Sequence, residues 1–85
     1  MFLHTEQIEP KPGYRLFVRF NSGVSGEISL LGELWGEMFE PLKDEQMFMT
    51  ARQDQVMKTV VWSNGADLAP EFLMDLLIQQ TGRAA

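Results

Sequence analysis

Between residues 14 and 30 the chain alternates in a pattern that a β-hairpin satisfies and a helix does not. Tyr14, Leu16, Val18 and Phe20 alternate with Arg15, Phe17 and Arg19, a period of two that leaves one face apolar. Asn21-Ser22-Gly23 reads as a three-residue loop, with Gly23 at the position that needs a positive φ. That loop length sets Phe20 opposite Val24, Val18 opposite Gly26 and Leu16 opposite Ile28. A two-residue loop would slip the register by one and set apolar side chains against Ser25, Glu27 and Ser29. On the outer face Phe17 then lies opposite Glu27, flanked by Arg15 and Arg19.

The other elements follow from punctuation. Residues 2–8 form a weaker strand, closed by Glu9-Pro10-Lys11-Pro12-Gly13, because proline removes donors and fixes φ. Residues 30–35 suit a helical turn or two, stopped by Gly36 in the left-handed region. Residues 38–42 read as loop or edge strand, since Pro41 cannot donate to a ladder. Asp44 caps a short helix through Met49. Residues 56–62 are rich in β-branched side chains and read as a strand that Ser63-Asn64-Gly65 ends.

A helix is expected over residues 70–81, with Ala69 as N-cap, Pro70 in the first helical position and Gly82 just past the end. Leu68 and Leu73 occupy its hydrophobic-staple positions. Phe72, Leu73, Leu76, Leu77 and Gln80 share the face that covers the sheet, with Asp75 and Gln79 turned away. The expected fold is α+β: a small antiparallel sheet, short connecting helices and a C-terminal helix packed on one face, all in a single domain over residues 1–85.

Composition narrows the chemistry. There is no cysteine, which removes disulfides, thiolate nucleophiles and sulfur-ligated zinc. His4 is the single histidine. No apolar run approaches the roughly 20 residues of a membrane span, and the first residues lack the basic and apolar regions of a secretory signal. A bacterial-type cytoplasmic protein is expected. Net charge is −5, and the seven Lys and Arg are dispersed, so nucleic acid is a disfavoured partner. Residues 31–49 hold five carboxylates, among them Glu33, Glu37 and Glu40, against the single Lys43. A charge run is usually a solvated face, but this one is also a candidate surface for a protein partner.

No catalytic residue, cofactor site or metal site is assigned: no nucleophile has a base, no phosphate loop is present, and no two carboxylates are marked as facing. An enzyme is not expected. The most individual stretch is residues 60–71. Its structural reading makes Asn64-Gly65 a tight turn, Asp67 an acceptor near the coming helix and Trp62 a core residue. Its functional reading makes Trp62, Asn64 and Asp67 a recognition patch, because tryptophan is enriched in binding hot spots.

Residues 14–20, residues 39–44 and above all Val61-Trp62-Ser63-Asn64-Gly65-Ala66-Asp67-Leu68 resemble the bacterial domain-of-unknown-function family 2442, over nearly the whole chain. Members of that family often have proline after the tryptophan, where this chain has Ser63. The resemblance implies a small antiparallel sheet in an α+β domain and no established activity. Some members carry a further helix-turn-helix domain, for which a chain ending at Ala85 is expected to be too short. Others are encoded beside a second small protein, in an arrangement that suggests a toxin–antitoxin pair.

These readings leave three functions in order: a protein-interaction module, acting with a protein partner or as a homodimer and in one form the antitoxin-like half of a two-protein system; a dimeric nucleic-acid-binding regulator using Arg15, Phe17 and Arg19; and a small-ligand-binding domain near Trp62, Asn64 and Asp67.

Overall fold

The hairpin forms in the register that its three-residue loop demands. In the computed structural model, which describes residues 2–82, strand β2 (Arg15–Phe20) pairs antiparallel with β3 (Ser25–Ser29). Leu16 faces Ile28, Phe17 faces Glu27 and Val18 faces Gly26. The loop closes through Phe20 N–H donating to Val24 O at 2.9 Å and Gly23 N–H to Phe20 O at 3.0 Å, with Gly23 at φ +91°.

Two boundaries differ from expectation. Tyr14 leaves the strand and enters the preceding turn: Gly13 and Tyr14 both have positive φ, +81° and +60°. Tyr14 instead points its ring edge at Phe48, 5.5 Å between centroids, and donates its hydroxyl to Lys43 O. The first strand, β1 (Thr5–Lys11), starts later than expected and continues through Pro10 to Lys11, pairing with β2. Pro10 is tolerated because β1 lies at the edge of the β1-β2-β3 sheet.

The second half contains a second three-stranded antiparallel sheet, β4 (Arg52–Gln53), β5 (Val60–Val61) and β6 (Asp67–Leu68). The strand expected over residues 56–62 shrinks to Val60–Val61 because residues 54–59 are a turn. The Asp54 carboxylate accepts Met57 N–H at 2.7 Å and Val56 N–H at 3.0 Å, and Lys58 adopts φ +59°. These local bonds compete with a ladder and win. Val56 is left largely exposed.

Between the sheets, the expected turn after Leu30 is a 3-10 helix, Leu31–Glu33, and Gly36 follows at φ +89°. Residues 38–42 were expected as loop or edge strand; the chain there enters a second 3-10 helix, Glu40–Lys43, with Pro41 in its first turn, where the missing N–H costs nothing. Asp44 caps α1 (Glu45–Phe48) by accepting Gln46 N–H at 3.0 Å.

The C-terminal helix α2 (Pro70–Thr81) has the expected ends: Ala69 is extended, and Gly82 is left-handed at φ +70° with its N–H on Ile78 O. Its buried arc is centred on Leu73 and Leu77 and flanked by Met74 and Leu76. Phe72, expected on that face, falls at its margin and is 37% exposed. Where α2 crosses β3, a Cβ on Gly26 would stand 2.8 Å from Leu77 Cδ1, so the missing side chain sets how closely the helix approaches. Gln80 reaches the open side of β3. It accepts Ser29 N–H at 2.7 Å and donates to Ser29 O at 2.9 Å, completing the edge as a strand would.

The fold is α+β, two small antiparallel sheets and a C-terminal helix over one apolar cluster that includes Leu16, Phe20, Phe48, Trp62 and Leu73. Thr5 joins the sheets: its N–H donates to Lys58 O at 3.1 Å, and Gln53 Nε2 donates to Thr5 O at 2.7 Å. Among the described residues no helix is long and apolar enough to cross a membrane.

Candidate functional site

The segment from Leu30 to Leu42 is pinned at three buried leucines, Leu30, Leu34 and Leu42. What lies between them is pushed outward. Leu34 enters the core, and the left-handed turn at Gly36 then leaves Trp35 70% exposed. Glu40 N–H and Phe39 N–H both donate to Gly36 O, at 2.8 and 3.1 Å, which turns Phe39 inward and leaves Met38 at the surface.

The turn at residues 62–66 braces this segment. Trp62 N–H donates to Ala66 O and Gly65 N–H to Trp62 O, both at 2.9 Å. Asn64 uses both ends of its amide. Its oxygen accepts Ala66 N–H at 3.1 Å within the turn, and its nitrogen donates to Met38 O at 2.9 Å across it. Phe39 meets the Trp62 ring edge-on, 6.3 Å between centroids.

Beside this brace lies an open groove of about 370 Å³. Trp35, Met38, Phe39, Leu68 and Phe72 supply its apolar lining, and Glu33 and Glu37 supply the charge. Leu68 comes from β6 and Phe72 from the first turn of α2, so the groove gathers three separate parts of the chain. An exposed tryptophan, methionine and phenylalanine drawn together are more than scattered surface apolar residues.

The residues singled out in the sequence fall into three groups. Glu33 and Glu37 line the groove. Asn64 and Asp67 lie next to it: Asn64 holds the Met38 carbonyl, and Asp67 is an exposed residue of β6 paired with Val61. Trp62 and Glu40 lie elsewhere. Of the two readings of Trp62, the structure has the core residue and not the recognition contact, for it is 1% exposed and its indole N–H donates to Phe48 O at 3.0 Å. Glu40 is tied to Lys43 at 3.0 Å in an exposed ion pair.

Trp35, Met38 and Phe72 are the residues that sequence reasoning missed. Their signal was present but weak. A tryptophan between a core leucine and a turn glycine has no buried side left to occupy, and Phe72 stands off the centre of the helical stripe.

The outer face of β2 is neutralised along its length. Arg15 Nη1 meets Glu27 Oε1 at 2.7 Å, and Arg19 Nε meets Glu6 Oε1 at 3.9 Å, on either side of a half-buried Phe17. Among the described residues no three His, Asp or Glu side chains come together in a way that could hold a metal ion. The carboxyl group with a displaced pKa is Asp54, away from the groove. It is held below its ordinary range by the Met57 N–H, by its hydrogen bond to Arg52 and by the Val56 N–H.

These features define a small α+β domain with an exposed apolar groove. No family model matches the chain, and no curated protein matches it. Its fold is similar to that of the solved structure of "Putative DNA Binding Protein NE0471" from Nitrosomonas europaea, with a TM-score of 0.84 and 17% sequence identity. The match covers 100% of this chain and 55% of that one, so this chain spans about half of its length. At that identity the likeness is one of fold.

Proposed function

We propose that the chain is a small protein-interaction module whose contact surface is the groove at Trp35, Met38 and Phe72. The antitoxin-like half of a two-protein system is the form of that role implied by the resemblance to family 2442. The observation that carries the proposal is Trp35, 70% exposed on a braced turn and lining an apolar groove. A large aromatic held in place this way loses little entropy on binding and offers a ready anchor. The test is affinity purification of the tagged chain from its own cells beside Trp35→Ala. The native chain should retain a stoichiometric protein that the variant loses, both having the same Tm. Equal retention by both would remove the groove from the proposal.

A second reading, nucleic-acid binding, draws support from the Nitrosomonas protein of the same fold, which is described as a "Putative DNA Binding Protein". The face it would use carries Arg15 and Arg19, each facing a glutamate, on a chain of net charge −5. It predicts a DNA or RNA gel shift that weakens steeply with added salt and is reduced in Arg15→Ala.

A further inference from the structure

We infer that the groove takes a basic amphipathic segment of its protein partner, with an apolar side chain against Trp35 and lysine or arginine reaching Glu33 and Glu37. This rests on the interaction-module reading and adds the chemistry of the partner.

The argument is one of charge left over. The groove lining contains two carboxylates and no cation. Among the described residues, Glu6, Glu27, Glu40 and Asp54 each have an arginine or lysine within 4 Å. Among the same residues Glu33 and Glu37 have none, and neither do Asp67 and Glu71, nor, away from the groove, Glu9, Asp44, Glu45 and Asp75. Asp67 and Glu71 adjoin Leu68 and Phe72 of the lining. Of the carboxylates without a cation among the described residues, Glu33 and Glu37 line the exposed apolar groove and Asp67 and Glu71 adjoin its lining, so the charge of the groove is left uncompensated. Such a field favours approach of a positively charged partner and opposes phosphates. The face of an exposed indole adds a further site for a cation.

The same charges argue against a second copy of this chain. A two-fold contact places a patch against itself. Here that would bring Glu33 and Glu37 of one copy near those of the other, desolvated and without a counter-charge. A partner segment with apolar residues along one side and Lys or Arg beside them satisfies both halves of the groove at once.

The test uses two synthetic helical peptides of equal length with the same leucine positions, one carrying lysine and the other glutamate at the polar positions. Binding is read by fluorescence anisotropy of the labelled peptides against the native chain, Trp35→Ala and the double variant Glu33→Gln/Glu37→Gln. The lysine peptide should bind the native chain about tenfold or more tighter than the glutamate peptide, and added salt should shrink that ratio. The double variant should lose most of the preference, and Trp35→Ala should lose binding. All three changed residues lie in the groove lining outside the buried core, and thermal melts confirm that the variants are folded.

Equal binding of the two peptides, a lysine-peptide affinity untouched by the double variant, or no binding of either overturns the inference. So does sedimentation showing a native dimer that Trp35→Ala dissociates, because the occupant is then a second copy. If the native partner is still retained by the chain and lost in Trp35→Ala while the peptide arms fail, only the partner's chemistry falls and the interaction module stands.

Discussion

The two tryptophans of this chain stand in similar local sequence and reach opposite fates. Each precedes a left-handed glycine, Gly36 after Trp35 and Gly65 three residues after Trp62, and both glycines have φ +89°. Trp62 is 1% exposed and Trp35 is 70% exposed. The difference lies in what each ring finds. Trp62 finds the Phe48 carbonyl for its N–H, and the rings of Phe48 and Phe39 at 6.0 and 6.3 Å. The Trp35 indole N–H has no acceptor among the described residues, and the neighbour that enters the core is Leu34. A tryptophan becomes core where its polar end is answered as well as its apolar body. Where neither is answered, the ring stays at the surface.

Replacement of both residues in the same way is the largest test of this contrast. Trp62→Ala should cost about 3–5 kcal/mol, a cavity cost comparable with the whole stability of a small domain. Trp62→Phe keeps the ring and strands the Phe48 carbonyl. Its expected cost of about 1–3 kcal/mol is readable as a lower urea midpoint. If Trp62→Phe were neutral, the hydrogen bond would not be what distinguishes the two tryptophans.

Gly26→Ala asks whether the interior is as tightly closed under α2 as it is around Trp62. The added Cβ would stand 2.8 Å from Leu77 Cδ1, and Leu77 is 1% exposed, with little room to retreat. The expected loss is about 1–2 kcal/mol, partly offset by the better strand propensity of alanine. A double variant that also shortens Leu77 to Val should recover part of it, as residues in direct contact do not add. Additive losses would mean that the helix and β3 are not limited by this contact.

The legible parts of the fold were those written in local pattern. The Leu16–Ile28 register followed from a loop of three residues and one glycine. The limits of α2 followed from Pro70 and Gly82, and the cap of α1 from Asp44. The parts that were not legible depend on partners distant in sequence or on side chains outcompeting the backbone. Tyr14 leaves its strand for Phe48 and Lys43, about thirty residues on. The strand at Val56 is lost to the Asp54 carboxylate, which takes two backbone N–H groups. The acidic half of the groove could be seen in the charge run at Glu33 and Glu37. Its apolar half could not, because Trp35, Met38, Leu68 and Phe72 are brought together only by the fold. Hydrophobic pattern reports which residues can be buried, not which of them the packing leaves over.

Trp35→Ala completes the pair with a small effect on stability. Little buried area is lost, so the Tm should change by no more than the equivalent of about 0.5 kcal/mol. If the proposed function holds, binding of a protein partner should fall sharply in the same variant. A large drop in Tm would show Trp35 to be a structural residue and erase the contrast with Trp62.

The smallest expected effect separates the two turns that bracket β5. At one end the Asn64 amide accepts Ala66 N–H; at the other the Asp54 carboxylate accepts Val56 and Met57 N–H. The first acceptor cannot titrate and the second can. Because the Met57 N–H and then Arg52 hold the folded Asp54 below its ordinary pKa, the folded state favours its charged form. Its contribution to stability is therefore present above the unfolded value of about 3.9 and is lost as pH falls through the folded value. Asp54→Asn should lower the urea midpoint slightly at neutral pH and flatten its decline below about pH 4, where the native carboxylate is being protonated. Asn64→Ala, by contrast, should lower the midpoint by the same amount at both pH values. A native chain and an Asp54→Asn chain with parallel acid limbs would mean that the turn before β5 is held by its backbone alone.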